Sequence, residues 1–368
     1  MTSFVESCIE TVADSAQALA RRSKGRPSAA RLLKQLAGKK SILVTTHQHP
    51  DPDALASAHA MSILLRAKLP GAKVETSLKG QIAGGINEAF ARNSNVQLVP
   101  WSDVGLAAYD AILLLDCQPG FSYNPIPAGV PIHAVIDHHR SKKRKPKCPF
   151  TDIRTDVGAT SSIVFSYFME LEVPISAHLG ATLLYAIESD LAGAAGTPGD
   201  LDNIALSGLT LIADAKALYK MRYVKLSQSY YTVFAEGLSE ALVYEKAIIS
   251  HLTHIDSFEK PAVMADMFLR YDKAEWSLVT AIHNQRLLLS LRTSNPQLPH
   301  LIAADVMAKL VRGLGDGGGH RAKAGGIISL ENASEAEVTR LQAKLRQRFL
   351  RALGLSKTRG QRLVPNPS

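Results

Sequence analysis

Three short aliphatic runs, 41-SILVTT-46, 111-AILLLD-116 and 132-IHAVID-137, constrain this chain more than any other feature. Each suits a buried strand and is too short for an ordinary helix. A helical pattern follows the first run, from Asp53 to Lys68, and stops at Pro70-Gly71. A further strand candidate, 73-KVETSL-78, comes next, and residues 159–171, 176–190 and 202–213 read as consecutive helices. Strands alternating with helices predict an α/β domain built on a parallel sheet flanked by helices. In an open parallel sheet, ligands bind outside the carboxyl ends of the strands.

The three aliphatic runs meet that edge with acid or imidazole. The first leads to His47, His49, Asp51 and Asp53, the second ends at Asp116, and the third ends in Asp137-His138-His139. A further acid, Asp190, closes 179-LGATLLYAIESD-190. Each group alone has an ordinary explanation. Asp53 could N-cap the helix after it, Asp116 could be a plain strand-end acid, and Asp137 a loop acid. His138 could be a satisfied core histidine, and Asp190 could cap a turn. Together they place several charged groups, distant in sequence, on one edge of one sheet. Clustered carboxylates repel one another, and bound cations relieve the repulsion. Carboxylates mixed with imidazoles suit manganese, iron or zinc. Two such ions about 3.5–4 Å apart can share a carboxylate and hold a hydroxide between them, a nucleophile for phosphorus.

After about residue 215 the texture changes. Residues 215–239 look like a helical connector. Then come a strand candidate (241-ALVYEKAIIS-250), a helix (261–270), paired strands (276–284 and 286–293) and a helix (301–312). A glycine loop, 313-GLGDGGGH-320, leads to a strand (325–330), and a last helix opens at Ser334 with the Ser-x-x-Glu spacing of a capping box. The expected organisation is a helical extension over 1–38, a catalytic domain over 39–214, the connector over 215–239, a smaller α+β domain over 240–353 and a loose tail over 354–368.

Composition narrows the setting. With 46% hydrophobic and 20% charged residues, the chain can build a packed core, and disorder does not dominate. No run of about 18 apolar residues predicts a membrane span, and the acidic N-terminus is unlike a secretory signal. Cys8, Cys117 and Cys148 are too few and too scattered for a disulfide framework, which points to the cytoplasm. The net charge of +9 favours anionic ligands. The basic run 141-SKKRKPK-147 suits a solvated loop better than a nucleic-acid track, and no aromatic stripe fit to stack many bases accompanies it.

The ordered set 47-HQHPDPD-53, 113-LLLDC-117, 136-IDHHR-140 and 184-LYAIESD-190 resembles the four motifs of the DHH phosphoesterase superfamily, and 317-GGGHRAKAGG-326 resembles the signature of its DHH-associated substrate domain. The resemblance covers roughly residues 40–350, and the two-domain layout is most similar to the nanoRNase type. It implies an active site in the cleft between the domains, with domain closure excluding water. It also implies two manganese ions: His47, Asp51 and Asp116 hold the first, and Asp53, Asp116, His138 and Asp190 hold the second, with Asp116 bridging. His139 would face the phosphoryl group as donor or general acid. Gly318, Gly319 and His320 would bind substrate phosphate, with Arg292 as a further phosphate ligand.

Three departures bear on the substrate. His49 stands where members often carry Asn, as a further ligand, a group behind the ligands or a substrate contact; Asp137 would also stand behind the ligands. Pro52 replaces a common Gly, and the fourth motif reads ESD rather than TD. The expected function is a manganese-dependent phosphoesterase acting on short oligonucleotides, dinucleotides or 3′-phosphoadenosine 5′-phosphate, without a membrane and with a homodimer allowed. The alternatives are a cyclic-dinucleotide phosphodiesterase, a manganese pyrophosphatase, a RecJ-like exonuclease and a nucleotide sensor without catalysis.

Overall fold

The computed structural model describes residues 28–80, 82, 84–103, 105–141, 146–191, 198–295, 301–319, 321–356 and 359–365. The helix expected within residues 4–16, most of the basic run after Ser141, and His320 lie outside the described residues. The chain divides into two compact units, the first mainly residues 1–224 and the second mainly residues 225–368.

The first unit begins with α1 (Ala29–Leu36) and β1 (Ser41–Thr45), then α2 (Pro52–Lys68), β2 (Lys73–Thr76) and α3 (Gly85–Asn93). Next come β3 (Ala111–Leu115), β4 (Ala134–Asp137), β5 (Phe150–Ile153), α4 (Thr160–Glu170), α5 (Ala177–Leu191), α6 (Asp200–Ile212) and α7 (Ala215–Arg222). The strands pair in the order β2-β1-β3-β4-β5, all parallel. β3 is buried at every position, as expected of a strand covered on both faces. One face, through Ile42, Val44, Leu113 and Ile136, packs on Leu55, Met61, Ile163 and Leu183 of the helices. The other face carries Leu43 and Ile112 and is covered by Trp101 and Leu106 from the segment before β3 and by Ile126 from the loop between β3 and β4, not by a long helix.

β5 is a strand that the sequence pattern does not announce. Its Asp152 is 1% exposed, so an inward-facing acid stands where a strand would ordinarily show an aliphatic residue. The expected connector also divides. Ala217, Leu218 and Met221 of α7 join the first unit's core, whereas Val233 of α8 (Gln228–Glu240) joins a core of the second.

The second unit continues with β6 (Leu242–Tyr244), β7 (Ala247–His254), α9 (Lys260–Phe268), β8 (Trp276–His283) and β9 (Arg286–Thr293). It ends with α10 (Ala303–Val311), β10 (Asp316–Gly319), β11 (Lys323–Ser329), α11 (Glu335–Ala352) and β12 (Gln361–Arg362). The mixed sheet runs β10-β11-β9-β8-β7-β6-β12, with only β7 and β8 parallel. Residues 241–250, expected as one strand, form a hairpin that turns at Glu245, whose φ is 53°. The expected glycine loop contains a strand, because 316-DGGG-319 pairs antiparallel with β11. Residues 361–362 of the expected loose tail pair with β6. Ser334 caps α11 by accepting the Glu337 amide, but Glu337 reaches back to the amides of Glu331 and Asn332, so only half of a capping box forms. No described helix is long and apolar enough to cross a membrane.

Candidate metal centre

The chain runs from β1 through α2 to β2 on one side of β1, then returns to place β3 on the other side. The carboxyl ends of β1 and β3 therefore flank a topological switch point, where α/β sheets bind ligands. The segments after β1 and β3, together with the end of β4, bring the acids and histidines to this point. α2 starts at Asp51, whose side chain accepts the Ala54 amide at 3.0 Å, with Pro52 in the first turn. The cap is thus Asp51, and Asp53 is left for another task. The Asp53 carboxylate accepts the amides of Thr160 at 2.7 Å and Ser161 at 2.8 Å, at the amino end of α4. Asp116 follows β3 with a φ of 52°, a left-handed conformation that Asp tolerates better than most residues. Its Oδ1 accepts the Thr160 hydroxyl at 2.8 Å.

Three sets of donor atoms lie within 4.8 Å of one another: His47, Asp51 and Asp116; Asp53, His138 and Asp190; and Asp116, His138 and His139. His47 Nδ1 is 2.8 Å from the Gln48 carbonyl, which leaves Nε2 turned to Asp116 Oδ2 at 3.5 Å. His138 Nδ1 faces the Val157 carbonyl at 3.4 Å, while Nε2 is 3.4 Å from both Asp116 Oδ1 and Asp190 Oδ2. A carbonyl behind each ring fixes the tautomer that offers Nε2 as a ligand. His139 differs. Its Nδ1 lies 2.6 Å from Asp137 Oδ1 and 3.5 Å from Asp116 Oδ1, so that nitrogen donates to the Asp137 carboxylate.

The electrostatics separate the acids. Burial, then the charges of Asp190 and Asp51, pushes Asp53 up to about 8. Burial and the neighbouring Asp53, Asp51, Asp137 and Asp190 hold Asp116 well above the usual carboxylate range. Burial also opposes the charge of Asp137, but His139, His138 and a 2.7 Å hydrogen bond from Gln118 outweigh it and bring Asp137 to about 2. His138 is lowered by burial and by the charge of His139, which favours the neutral form that ligates metal. Burial pulls His139 down, but the charge and hydrogen bond of Asp137, with the charges of Asp190 and Asp51, together raise it above the usual imidazole value. Buried carboxylates that repel one another, faced by imidazoles, are a donor set that fits divalent cations.

The structure also assigns work to residues that sequence reading missed. Gln118 donates to both Asp137 and the His139 carbonyl, locking the third motif to the loop after β3. Thr160 and Ser161 hold Asp53 and Asp116; the small polar 160-TSS-162 opening an apolar helix was the available signal. Asp202, fully buried, accepts the amides of Gly158 and Gly199 at 2.7 and 2.8 Å. His49, exposed with a φ of 55°, is in none of the three sets.

Arg292, Gly318 and Gly319 belong to the second unit. Arg292 is 9% exposed, and its guanidinium donates to Asp266 Oδ1 at 2.8 Å, to Ser290 Oγ and to the Leu291 carbonyl. Gly318 and Gly319 are exposed on β10. A Cβ on Gly318 would meet nothing within 4 Å, whereas one on Gly319 would lie 2.3 Å from the Lys323 carbonyl.

This arrangement of sheet, switch point and acid-histidine cluster agrees with comparison to known proteins. Residues 41–187 match the DHH family, N-terminal domain. The chain therefore carries a DHH-family domain. It is 27% identical over 324 residues to the Methanocaldococcus jannaschii "Uncharacterized protein MJ1633", covering 86% of this chain and 65% of that protein. It is 30% identical over 175 residues to a Listeria welshimeri "Probable manganese-dependent inorganic pyrophosphatase", covering 47% of this chain and 55% of that one. The matches thus span between about half and two thirds of these relatives' own length. Among solved structures, an exopolyphosphatase-related protein from Bacteroides fragilis shares the fold, with a TM-score of 0.67 and 18% identity, over 88% of this chain and 97% of that one.

Proposed function

We propose that this protein is a divalent-metal-dependent phosphoesterase, with short oligonucleotides, dinucleotides or 3′-phosphoadenosine 5′-phosphate as its substrates. The observation that carries this reading is Asp116. It is buried and repelled by four neighbouring carboxylates, and it belongs both to the set with His47 and Asp51 and to a set with His138. His47, Asp51 and Asp116 would hold one cation. Asp53, Asp116, His138 and Asp190 would hold a second, and manganese suits their mixed oxygen and nitrogen donors. Such ions, when bound, activate water at neutral pH and neutralise charge on a phosphoryl group.

The chain's own residues would do the rest. Asp137 orients the His139 ring and keeps its proton on Nδ1, so the other ring nitrogen is presented to the substrate as a donor when the ring is charged. The raised pKa of His139 favours that charged form. Gln118 holds Asp137 in place, and the α4 amides hold Asp53, so the ligand geometry is set before substrate arrives. In this reading Gly318, Gly319 and His320 bind substrate phosphate, and Arg292 contributes to the same task.

A second reading is an inorganic pyrophosphatase, favoured by the similarity to the Listeria protein of that name. A substrate panel with manganese separates the two: RNA of two, five and twenty-four nucleotides, 3′-phosphoadenosine 5′-phosphate, a cyclic dinucleotide and pyrophosphate. Fast release of mononucleotide from the dinucleotide, with the longest RNA slow, is the expected result. Turnover of pyrophosphate alone would replace the first reading with the second.

A further inference from the structure

We propose that Phe121 and Tyr123 form a stacking platform beside the metal centre that receives a planar ring of the substrate, a nucleobase. The proposal deepens the phosphoesterase reading and rests on it. Both residues lie in the loop that follows Asp116. The Tyr123 ring stands 5.6 Å from the His47 ring at 78°, and the Phe121 ring stands 5.9 Å from the His139 ring at 64°. The two aromatics are 5.2 Å apart. The loop therefore touches a histidine following β1 and a histidine following β4, one on each flank of Asp116.

The loop is also held firmly. Asn124 donates to the carbonyls of Pro119 and Ile126 and accepts the Ile126 amide. The Gln48 amide donates to the Tyr123 carbonyl at 3.0 Å, and the Phe121 amide donates to the carbonyl of Gln118. Gln118 in turn holds Asp137 and His139, so the aromatics and the ligand cluster share one hydrogen-bond network. Phe121 packs its inner side on Leu114, Cys117 and Val135, whereas Tyr123 keeps 38% of its surface exposed. An exposed aromatic on a braced loop loses little freedom when a ring stacks on it. A phosphate gains nothing from such a surface, whereas every nucleobase has a face that can use it. The platform thus favours a ring-bearing phosphoester over inorganic pyrophosphate.

The test is calorimetric binding of AMP and of ribose 5-phosphate to the full-length, manganese-loaded protein. The two ligands share sugar and phosphate and differ by the base. The wild type is expected to bind AMP roughly 5- to 150-fold more tightly, the range that one stacked base supplies. Tyr123→Ala is expected to remove most of that preference while leaving ribose 5-phosphate binding unchanged, and Tyr123→Phe to keep it. Equal affinity of the wild type for both ligands, no measurable AMP binding, or an AMP preference undiminished in Tyr123→Ala would each overturn the proposal. Dinucleotide hydrolysis combined with an undiminished preference removes the platform and spares the phosphoesterase reading. A Tyr123-dependent preference in a protein that hydrolyses no phosphoester keeps the platform and removes that reading.

Discussion

Asp152 and Asp116 are buried carboxylates of the same sheet, and the chain treats them in opposite ways. Asp152, on β5, receives Arg154 through Nε and Nη2 at 2.8–3.1 Å and the Tyr167 hydroxyl at 2.6 Å. Its charge is answered inside the fold. Asp116, beyond β3, receives one hydroxyl and lies near three imidazoles at 3.4–3.5 Å, while burial and four other carboxylates disfavour its charge. A buried charge is costly unless paired. The fold answers the charge of Asp152, whereas it leaves that of Asp116 facing like charges, the state that a bound cation would relieve. Arg292 sits between these cases. It was expected to bind phosphate, but it already donates to Asp266, which is itself partly exposed.

Asp116→Asn is expected to have the largest effect. Asparagine also accepts a left-handed backbone, so the fold should persist. Activity is expected to fall by roughly a thousandfold or more, the several kcal/mol that metal ions supply to a phosphoryl transition state. The same substitution should leave the metal-free protein at least as stable as the wild type at pH 8, measured by urea unfolding in chelator. Near-normal kcat/KM in this variant would remove Asp116 from the site.

Arg154→Met attacks the compensated partner. It leaves Asp152 buried without its cation and is expected to cost about 3–5 kcal/mol of stability. Manganese affinity should not change, and a loss of affinity would show that the two acids are not separate in role.

The pH dependence of the metal-free protein has a defined sign. Asp53 is raised to about 8, so its contribution to stability is full below its unfolded value near 4 and is lost as pH rises through 8. Asp137 is lowered to about 2, so its contribution is present above pH 4 and lost as pH falls towards 2. Metal-free protein is therefore expected to lose on the order of a few kcal/mol between pH 5 and 9, and manganese should abolish most of that loss. Equal slopes with and without manganese would count against the cluster as a cation site. The smallest effect is expected at Asp266→Asn, where a partly exposed pair should cost about 1 kcal/mol or less by urea unfolding.

Much of this was legible in the residues. The aliphatic runs before Thr46, Asp116 and Asp137 read as buried strands and are strands, and β9 runs over the very residues 286–293 that its pattern marks. The histidines and aspartates of the cluster could be named because their spacing repeats a motif. β5 escaped because Asp152 breaks the apolar pattern from inside the core. β10 escaped because 316-DGGG-319 has no side-chain pattern, and backbone pairing alone makes it a strand. Gln118, Thr160, Ser161 and Asp202 escaped because they act through amides and short polar groups that follow no spacing rule. Their partners are 19 to 108 residues away in all but one of these hydrogen bonds, which only the fold reveals.

The proposed site has the mutually repelling acids of the first unit holding two cations, with Asp116 shared between them. Equilibrium dialysis against manganese, on wild type and Asp116→Asn side by side, tests it most directly. Two manganese ions per wild-type chain are expected, with a marked loss of binding for both in the variant. One ion or none in the wild type, or two ions held equally well without the Asp116 carboxylate, would contradict it.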